Sequence, residues 1–323
     1  MSKPKVVVTR RWPERVEAAL QEHFDVELNI EDKPLSPDQL KDALARADAL
    51  FPTVTDRISA DILVTQPRRC RLIGNFGVGF NNIDIEAAKA EGIIVTNTPD
   101  VLTHATADLA MALLLSVARR VGEGERHVRD KAWTGWRPTH MLGTEVTGKT
   151  LGLIGLGRIG GAVAKKASHG FDMNVLAFDP FPPSREKLDE LKVTLVDSID
   201  DILNQSDFVS LHCPATPENR HLINAERLAT MKSGAFLINT ARGDVVDEQA
   251  LVQALVTGEI AGAGLDVFER EPEVTETLLA MENAVLLPHL GSATIETREA
   301  MGMRVLDNAK AFFSDREPRD RVA

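Results

Sequence analysis

Residues 149–161 read Lys149-Thr150-Leu151-Gly152-Leu153-Ile154-Gly155-Leu156-Gly157-Arg158-Ile159-Gly160-Gly161. A short apolar run enters a Gly-x-Gly-x-x-Gly turn, and residues 162–170 continue with helical periodicity. Each glycine has a task in such a turn. Gly155 permits the tight turn, Gly157 lets a pyrophosphate approach the main chain, and Gly160 lets the helix pack against the strand. Unpaired amides at the helix start, with the positive end of the helix dipole behind them, suit a diphosphate. A second apolar run, 174–178, ends in Asp179, about 20 residues past the last glycine, where a carboxylate accepts from adenosine ribose hydroxyls. A glycine triplet alone also occurs in ordinary loops. The strand before it, the helix after it and the acid at this spacing make it a dinucleotide site.

The rest of the composition sets bounds on this site. At 323 residues the chain is long enough for two domains. Its hydrophobic content of 43% and charged content of 26% are those of a soluble globular protein. A net charge of −11 argues against a nucleic-acid footprint or an anionic membrane surface, so an anionic substrate needs a local basic group. The first residues carry no signal-peptide core, and the longest apolar run, 109–118, is interrupted by Ser116 and too short to span a bilayer. Cys70 and Cys213 are the only cysteines, which leaves neither a disulfide framework nor a four-cysteine zinc site and suggests a cytoplasmic setting. The absence of tyrosine excludes a mechanism built on a Tyr-Lys pair.

Upstream of the turn, short apolar runs at 5–9, 26–28, 49–51, 72–74 and 93–95 alternate with amphipathic segments at 14–23, 37–44, 59–64 and 83–91. That alternation predicts a parallel sheet covered by helices. Gly77-Val78-Gly79 follows the fourth run, either as a plain turn or as a pair of amides able to hold a carboxylate. Thr98-Pro99-Asp100 breaks the pattern and marks a passage to a second domain. One long helix is expected over 103–131, with Leu109, Leu113, Leu114 and Val117 on its buried side. Residues 132–148 read as irregular, with Trp133 and Trp136 either forming a contact surface or plugging the loop onto its own domain. Later strands are expected at 208–211, 236–239, 262–266 and 285–287, and a helix at 294–313 that returns to the N-terminal domain.

Three stretches at the ends of these later strands carry reactive residues: Asn239-Thr240-Ala241-Arg242-Gly243, Asp266-Val267-Phe268-Glu269-Arg270-Glu271-Pro272, and Pro288-His289-Leu290-Gly291-Ser292-Ala293-Thr294. Hydride transfer to a 2-oxo acid needs a cation for the carboxylate, a proton donor for the carbonyl oxygen, and a group to tune that donor. Arg242 offers a planar fork of donors. His289 can donate a proton near neutral pH, and Glu271 favours its imidazolium form. Singly, each has a plain structural alternative: a surface ion pair, a core histidine, a solvated acidic loop.

Together these stretches resemble the D-2-hydroxyacid dehydrogenase family, in particular its glyoxylate/hydroxypyruvate reductase branch. The resemblance runs from Gly74-Asn75-Phe76-Gly77-Val78-Gly79-Phe80-Asn81-Asn82-Ile83-Asp84 to the stretch around His289. It implies two doubly wound parallel-sheet α/β domains: a Rossmann-like dinucleotide domain, 100–290, inserted in a flavodoxin-like substrate domain, 1–99 with 291–323. It gives Arg242, Glu271 and His289 the catalytic places and Val78 and Gly79 the carboxylate-binding amides. Cofactor contacts fall on Gly155, Leu156, Gly157, Arg158, Ile159, Gly160, Asp179, Cys213, Pro214, Thr240, Ala241, Asp266, His289 and Gly291. Cys213 serves there by packing rather than by thiol chemistry. The resemblance further implies a homodimer, with Trp136 similar to a loop tryptophan that reaches the partner's substrate site.

Glu271 stands where formate dehydrogenases of the superfamily carry Gln, which disfavours formate. Pro180 and Phe181 follow Asp179 in place of an arginine for a 2′-phosphate, which favours NADH, while Arg185 keeps NADPH open. The expected activity is reduction of glyoxylate, and of hydroxypyruvate, a small 2-oxo acid in either case. The alternatives are a broader D-2-hydroxyacid dehydrogenase and, in another class, a nucleotide-sensing corepressor-like protein.

Overall fold

The computed structural model describes residues 3–323. The chain divides into two α/β units, Met1–Leu102 with Ser292–Ala323, and Thr103–Gly291. The first unit begins β1 (Lys5–Val8), α1 (Glu14–His23), β2 (Asp25–Leu28), α2 (Pro37–Arg46) and β3 (Ala49–Phe51). It continues with α3 (Ala60–Leu63), β4 (Leu72–Gly74), α4 (Ile85–Ala90) and β5 (Ile94–Thr96). The strands are all parallel in the order β2-β1-β3-β4-β5, the flavodoxin-like arrangement. Strands covered on both faces must be apolar throughout, and β3 and β4 are buried at every residue. Ser36 starts α2 with a reciprocal capping box to Gln39, which satisfies two otherwise orphaned donors. The C-terminal residues pair with the outer edge of β5, Val322 N donating to Val95 O at 2.8 Å, and so cover an edge that would otherwise lie open.

The second unit begins α5 (Thr103–Ala118), α6 (Val121–Arg129), β6 (Thr150–Ile154), α7 (Arg158–Gly170) and β7 (Asn174–Phe178). It continues α8 (Arg185–Leu191), β8 (Val193–Leu195), α9 (Ile199–Gln205), β9 (Phe208–Leu211), α10 (Ala225–Thr230) and β10 (Phe236–Asn239). The unit ends α11 (Glu248–Thr257), β11 (Gly262–Leu265), α12 (Glu276–Leu279) and β12 (Ala284–Leu286). Its seven parallel strands run β8-β7-β6-β9-β10-β11-β12, with the order reversing between β6 and β9. Ligands of open α/β sheets bind at such reversals, beyond the carboxyl ends of the strands. One face packs on α5 and α7 through Leu113, Leu114, Leu151, Leu153 and Val163, the other on Ile202, Leu203, Leu251 and Leu255. The last helix, α13 (Ile295–Phe313), belongs to the first unit and packs on α1 and β4.

Three features depart from the sequence expectation. The helix expected over 103–131 is two helices, broken at Arg119-Arg120. The Ala118 carbonyl accepts from Thr144 N at 2.8 Å, and Arg120 turns left-handed at φ 54°. Its guanidinium grips Glu123 with two bonds of 2.7 Å, while Gly122 and Gly124 weaken any continuous helix. Leu109, placed on the buried side, is only half-buried, whereas Leu113, Leu114 and Val117 are buried as expected. The third departure is β8, an edge strand with two exposed residues and hence no apolar alternation to announce it. No helix among the described residues is long and apolar enough to cross a membrane.

Candidate active site

The glycine turn lies at the reversal point of the second sheet. Gly155 has φ +97°, and a Cβ there would stand 2.7 Å from the His212 carbonyl carbon, so the turn from β6 passes directly under the end of β9. A Cβ on Gly160 would meet the Gly155 carbonyl oxygen at 2.3 Å; the helix is held against the turn itself. A Cβ on Gly157 would meet nothing within 4 Å, and no side chain caps the start of α7. Leu156 is buried, Ile159 half-buried, and Arg158 exposed at the first residue of α7. Asp179 accepts from Leu156 N at 2.6 Å and from Phe181 N at 2.8 Å, which pins the turn to the end of β7.

At the end of β9, burial pushes His212 down to about 4, so its ring is neutral and pairs with Ser210 Oγ at 2.9 Å. Burial pushes the neighbouring Cys213 thiol up to about 11, which suits a packing role and leaves no thiolate at neutral pH. Pro214 is exposed beside it. The Thr240 hydroxyl, at the end of β10, is buried without a hydrogen-bond partner among the described residues. An uncapped helix start, open space at Gly157 and an orphaned hydroxyl fit a dinucleotide laid across these strand ends.

Asn239 shapes the segment that carries Arg242. Its side chain accepts from Ala241 N at 3.0 Å and donates to Arg242 O at 2.9 Å, folding Thr240-Ala241-Arg242 into a tight turn. Gly243 follows because the Phe268–Glu269 backbone crosses it; a Cβ would fall 1.9 Å from the Phe268 carbonyl carbon. This close approach brings Arg242 under the influence of the loop after β11. The guanidinium donates to Ala241 O at 2.7 Å and forms no ion pair among the described residues. Burial pulls it below its ordinary value, against the opposing charges of Glu271 and Asp244. Its other donors are thus available to an anion.

Glu271 and His289 meet directly, Oε2 to Nδ1 at 2.8 Å. Glu271 Oε1 accepts from Phe268 N at 3.1 Å. Burial alone would raise Glu271, but the hydrogen bond and charge of His289, the Phe268 amide and the Arg242 charge together hold it below the ordinary carboxylate value. His289 Nε2 has no partner among the described residues. The histidine sits in left-handed backbone at φ 55°, an uncommon conformation for a non-glycine residue. Asp266 maintains it there: its carboxylate accepts from Leu290 N at 2.6 Å and Gly291 N at 2.8 Å, and its carbonyl from His289 N at 3.0 Å. Burial raises Asp266 in spite of those amides.

Val78 and Gly79 lie in the first unit, after β4, and their N–H groups meet no acceptor among the described residues. Trp136 is 83% exposed and Trp133 55%, so neither plugs its loop onto its own unit. Residues 111–291 match the D-isomer specific 2-hydroxyacid dehydrogenase, NAD binding domain. The chain belongs to the D-isomer specific 2-hydroxyacid dehydrogenases. It is 48% identical to the glyoxylate reductase of Pyrococcus horikoshii over 317 residues, covering 96% of this chain and 93% of that one. It is 39% identical to the glycerate dehydrogenase of Hyphomicrobium methylovorum, covering 97% of each. Among solved structures, the NADPH-dependent glyoxylate/hydroxypyruvate reductase of Sinorhizobium meliloti, in complex with NADP and malonate, is 35% identical with a TM-score of 0.88, over 100% of this chain and 97% of that one.

In this 2-hydroxyacid dehydrogenase one supporting residue escaped the sequence. Glu248, buried at the start of α11, accepts from Glu269 N and from the Thr275 amide and hydroxyl, and so anchors both ends of the loop bearing Glu271. Glu269 turns away to His221 Nε2 at 2.9 Å and Arg220 at 3.2 Å. Of the two acids in Glu269-Arg270-Glu271, only Glu271 reaches His289. The Asp at a helix N-cap is the sole local signal for this region, at Asp247, and it points to α11 rather than to the loop.

Proposed function

We propose that this dehydrogenase reduces glyoxylate to glycolate, and hydroxypyruvate to D-glycerate, with NADH preferred as the hydride donor. The observation that carries the proposal is the Glu271–His289 pair, with His289 Nε2 open and Arg242 engaged only with its neighbour's carbonyl among the described residues, in a unit that also holds the dinucleotide turn. The names of the Pyrococcus and Sinorhizobium relatives support a two- or three-carbon 2-oxo acid. Gly155, Leu156, Gly157, Arg158, Ile159 and Gly160 would hold the diphosphate, Asp179 the adenosine ribose, and Cys213, Pro214, Thr240, Ala241, Asp266 and Gly291 the remainder. The bound nicotinamide supplies the hydride.

This chain's own residues do the rest. Arg242 binds the 2-oxo acid with a forked pair of donors, a geometry that orients as well as neutralises. Val78 and Gly79 add backbone amides for the carboxylate. Glu271 accepts a hydrogen bond from Nδ1–H of His289, fixing the ring so that Nε2–H faces the carbonyl oxygen and donates its proton as negative charge develops there. NADH oxidation measured with glyoxylate is the direct test. Turnover only of larger 2-oxo acids would replace this reading with a broader dehydrogenase, and no turnover of any 2-oxo acid would favour a nucleotide-sensing role.

Asp179 leads to a prediction on cofactor choice. Its carboxylate is fixed by two amides at the turn, so a 2′-phosphate would meet like charge there. Like-charge juxtaposition is costly, and kcat/KM is expected to favour NADH over NADPH by about tenfold or more. Asp179→Ser should narrow that gap. Equal or better use of NADPH by the wild type would refute the assignment and turn attention to Arg185, which pairs with Asp189 at 3.1 Å on the exposed face of α8.

Exposed Val121, Val128, Trp133, Trp136 and Leu142 on α6 and the segment after it support a homodimer as the working state. Light scattering should give twice the chain mass, and Trp136→Ala together with Val128→Asp should lower it; a monomeric wild type would exclude this surface. A cytoplasmic, small-molecule role without nucleic-acid or membrane partners accords with the acidic net charge.

A further inference from the structure

The turn at 77–79 is held from behind. Asn75, fully buried at the end of β4, donates from Nδ2 to Gly79 O at 2.8 Å and more weakly to Gly77 O at 3.4 Å. Its own Oδ1 accepts from Asn82 Nδ2 at 3.3 Å, and Asn82 is tied to Thr53 O and Asp56 O, which fixes which end of the Asn75 amide faces the turn. Asn97, only 8% exposed beyond β5, donates from Nδ2 to Val78 O at 2.8 Å. Thr98 N donates to Gly77 O at 3.0 Å. All three carbonyls of the turn are therefore engaged.

The consequence follows from the planar trans peptide, in which C=O of one residue and N–H of the next point in opposite directions. Holding Gly77 O inward turns Val78 N–H outward. Holding Val78 O inward turns Gly79 N–H outward. Neither of these two amides meets an acceptor among the described residues. Asn97 alone holds the second of these planes, while Thr98 and Asn75 share the first.

We propose that Asn97, with Asn75, is a positioning residue for carboxylate recognition: it fixes the peptide planes that present the Val78 and Gly79 amides to the 2-oxo acid. This rests on the reading of those amides as carboxylate ligands. Neither asparagine touches the reacting atoms. Their effect is on the entropy and geometry of the anion site, so it appears in substrate binding rather than in the proton or hydride step.

The test compares glyoxylate with methyl glyoxylate, whose carboxylate is masked as a neutral ester, in the full-length enzyme with NADH. For Asn97→Ala the KM for glyoxylate is expected to rise roughly tenfold, the scale of one lost hydrogen bond to a charged-ligand site, with kcat and NADH affinity little changed. The kcat/KM for methyl glyoxylate should stay nearly constant, so the preference for the acid over the ester falls by the same factor. Asn97→Asp keeps the shape but puts an acceptor against Val78 O, and should lower the preference at least as far. It also guards against a failure of the alanine variant to fold. Retention of the wild-type glyoxylate KM in a folded variant would overturn the assignment, as would equal losses on both substrates, the mark of a general structural role. A wild type that does not prefer glyoxylate to its ester would instead overturn the carboxylate reading beneath it.

Discussion

His289→Ala is expected to lower kcat for glyoxylate reduction by roughly 10²–10⁴-fold, the usual worth of a positioned acid or base, while NADH still binds. The sharper version concerns its partner. Glu271 lies 2.8 Å from Nδ1 and is held below the ordinary carboxylate value, burial being outweighed by His289, the Phe268 amide and Arg242. A carboxylate depressed in this way stays ionised through neutral pH, and its contribution to the pair is lost only as the pH falls through that lowered value. Reduction needs His289 protonated; oxidation of glycolate needs it neutral. Glu271→Gln keeps the shape and withdraws the carboxylate that titrates. The acid limb that follows protonation of Glu271 in the wild type should therefore be absent from the variant, in glyoxylate reduction and in glycolate oxidation alike. If the variant keeps the wild-type acid limb in both directions, Glu271 does not act on His289.

Arg242→Lys should lower kcat/KM for glyoxylate by roughly 10²–10³-fold, the range found when one partner of a buried hydrogen-bonded charge pair is disrupted. The charge survives this change, but the fork does not. Lysine offers a single ammonium that cannot span two oxygens of an anion in one plane. The protein also invests in the guanidinium's position: Asn239 folds the turn that carries it, and the Phe268–Glu269 backbone packs over Gly243 next to it. Because Arg242 lies outside the glycine turn, NADH affinity measured by fluorescence titration should remain nearly that of the wild type. Unchanged glyoxylate kinetics would show that the carboxylate is held elsewhere.

Much of this could be read from residue order, because the constraints involved are local. The glycine turn was legible since a tight turn, a close approach and a helix start are demands on consecutive backbone units. The strands at 49–51, 72–74, 174–178, 208–211 and 236–239 were legible because strands covered on both faces are apolar over most of their length. The edge strand β8 was not, since it ends the sheet and carries two exposed residues.

Other features depend on groups far apart in the chain. The break at Arg120 is made by Thr144, which takes the Ala118 carbonyl from 26 residues away, and periodicity within the helix carries no trace of it. The loop's path explains how Glu271, the acid expected from sequence, comes to face the imidazole: Glu248 anchors the loop and Glu269 is drawn to His221 and Arg220. The left-handed backbone of His289 depends likewise on Asp266 accepting the two amides that follow. Sequence by itself determined the class of sheet, the dinucleotide turn and, through resemblance, which residues to expect at the site. Tertiary structure alone decided how those residues are held, because a hydrogen bond is specified by distance and direction in space, and chain order constrains neither beyond a few residues.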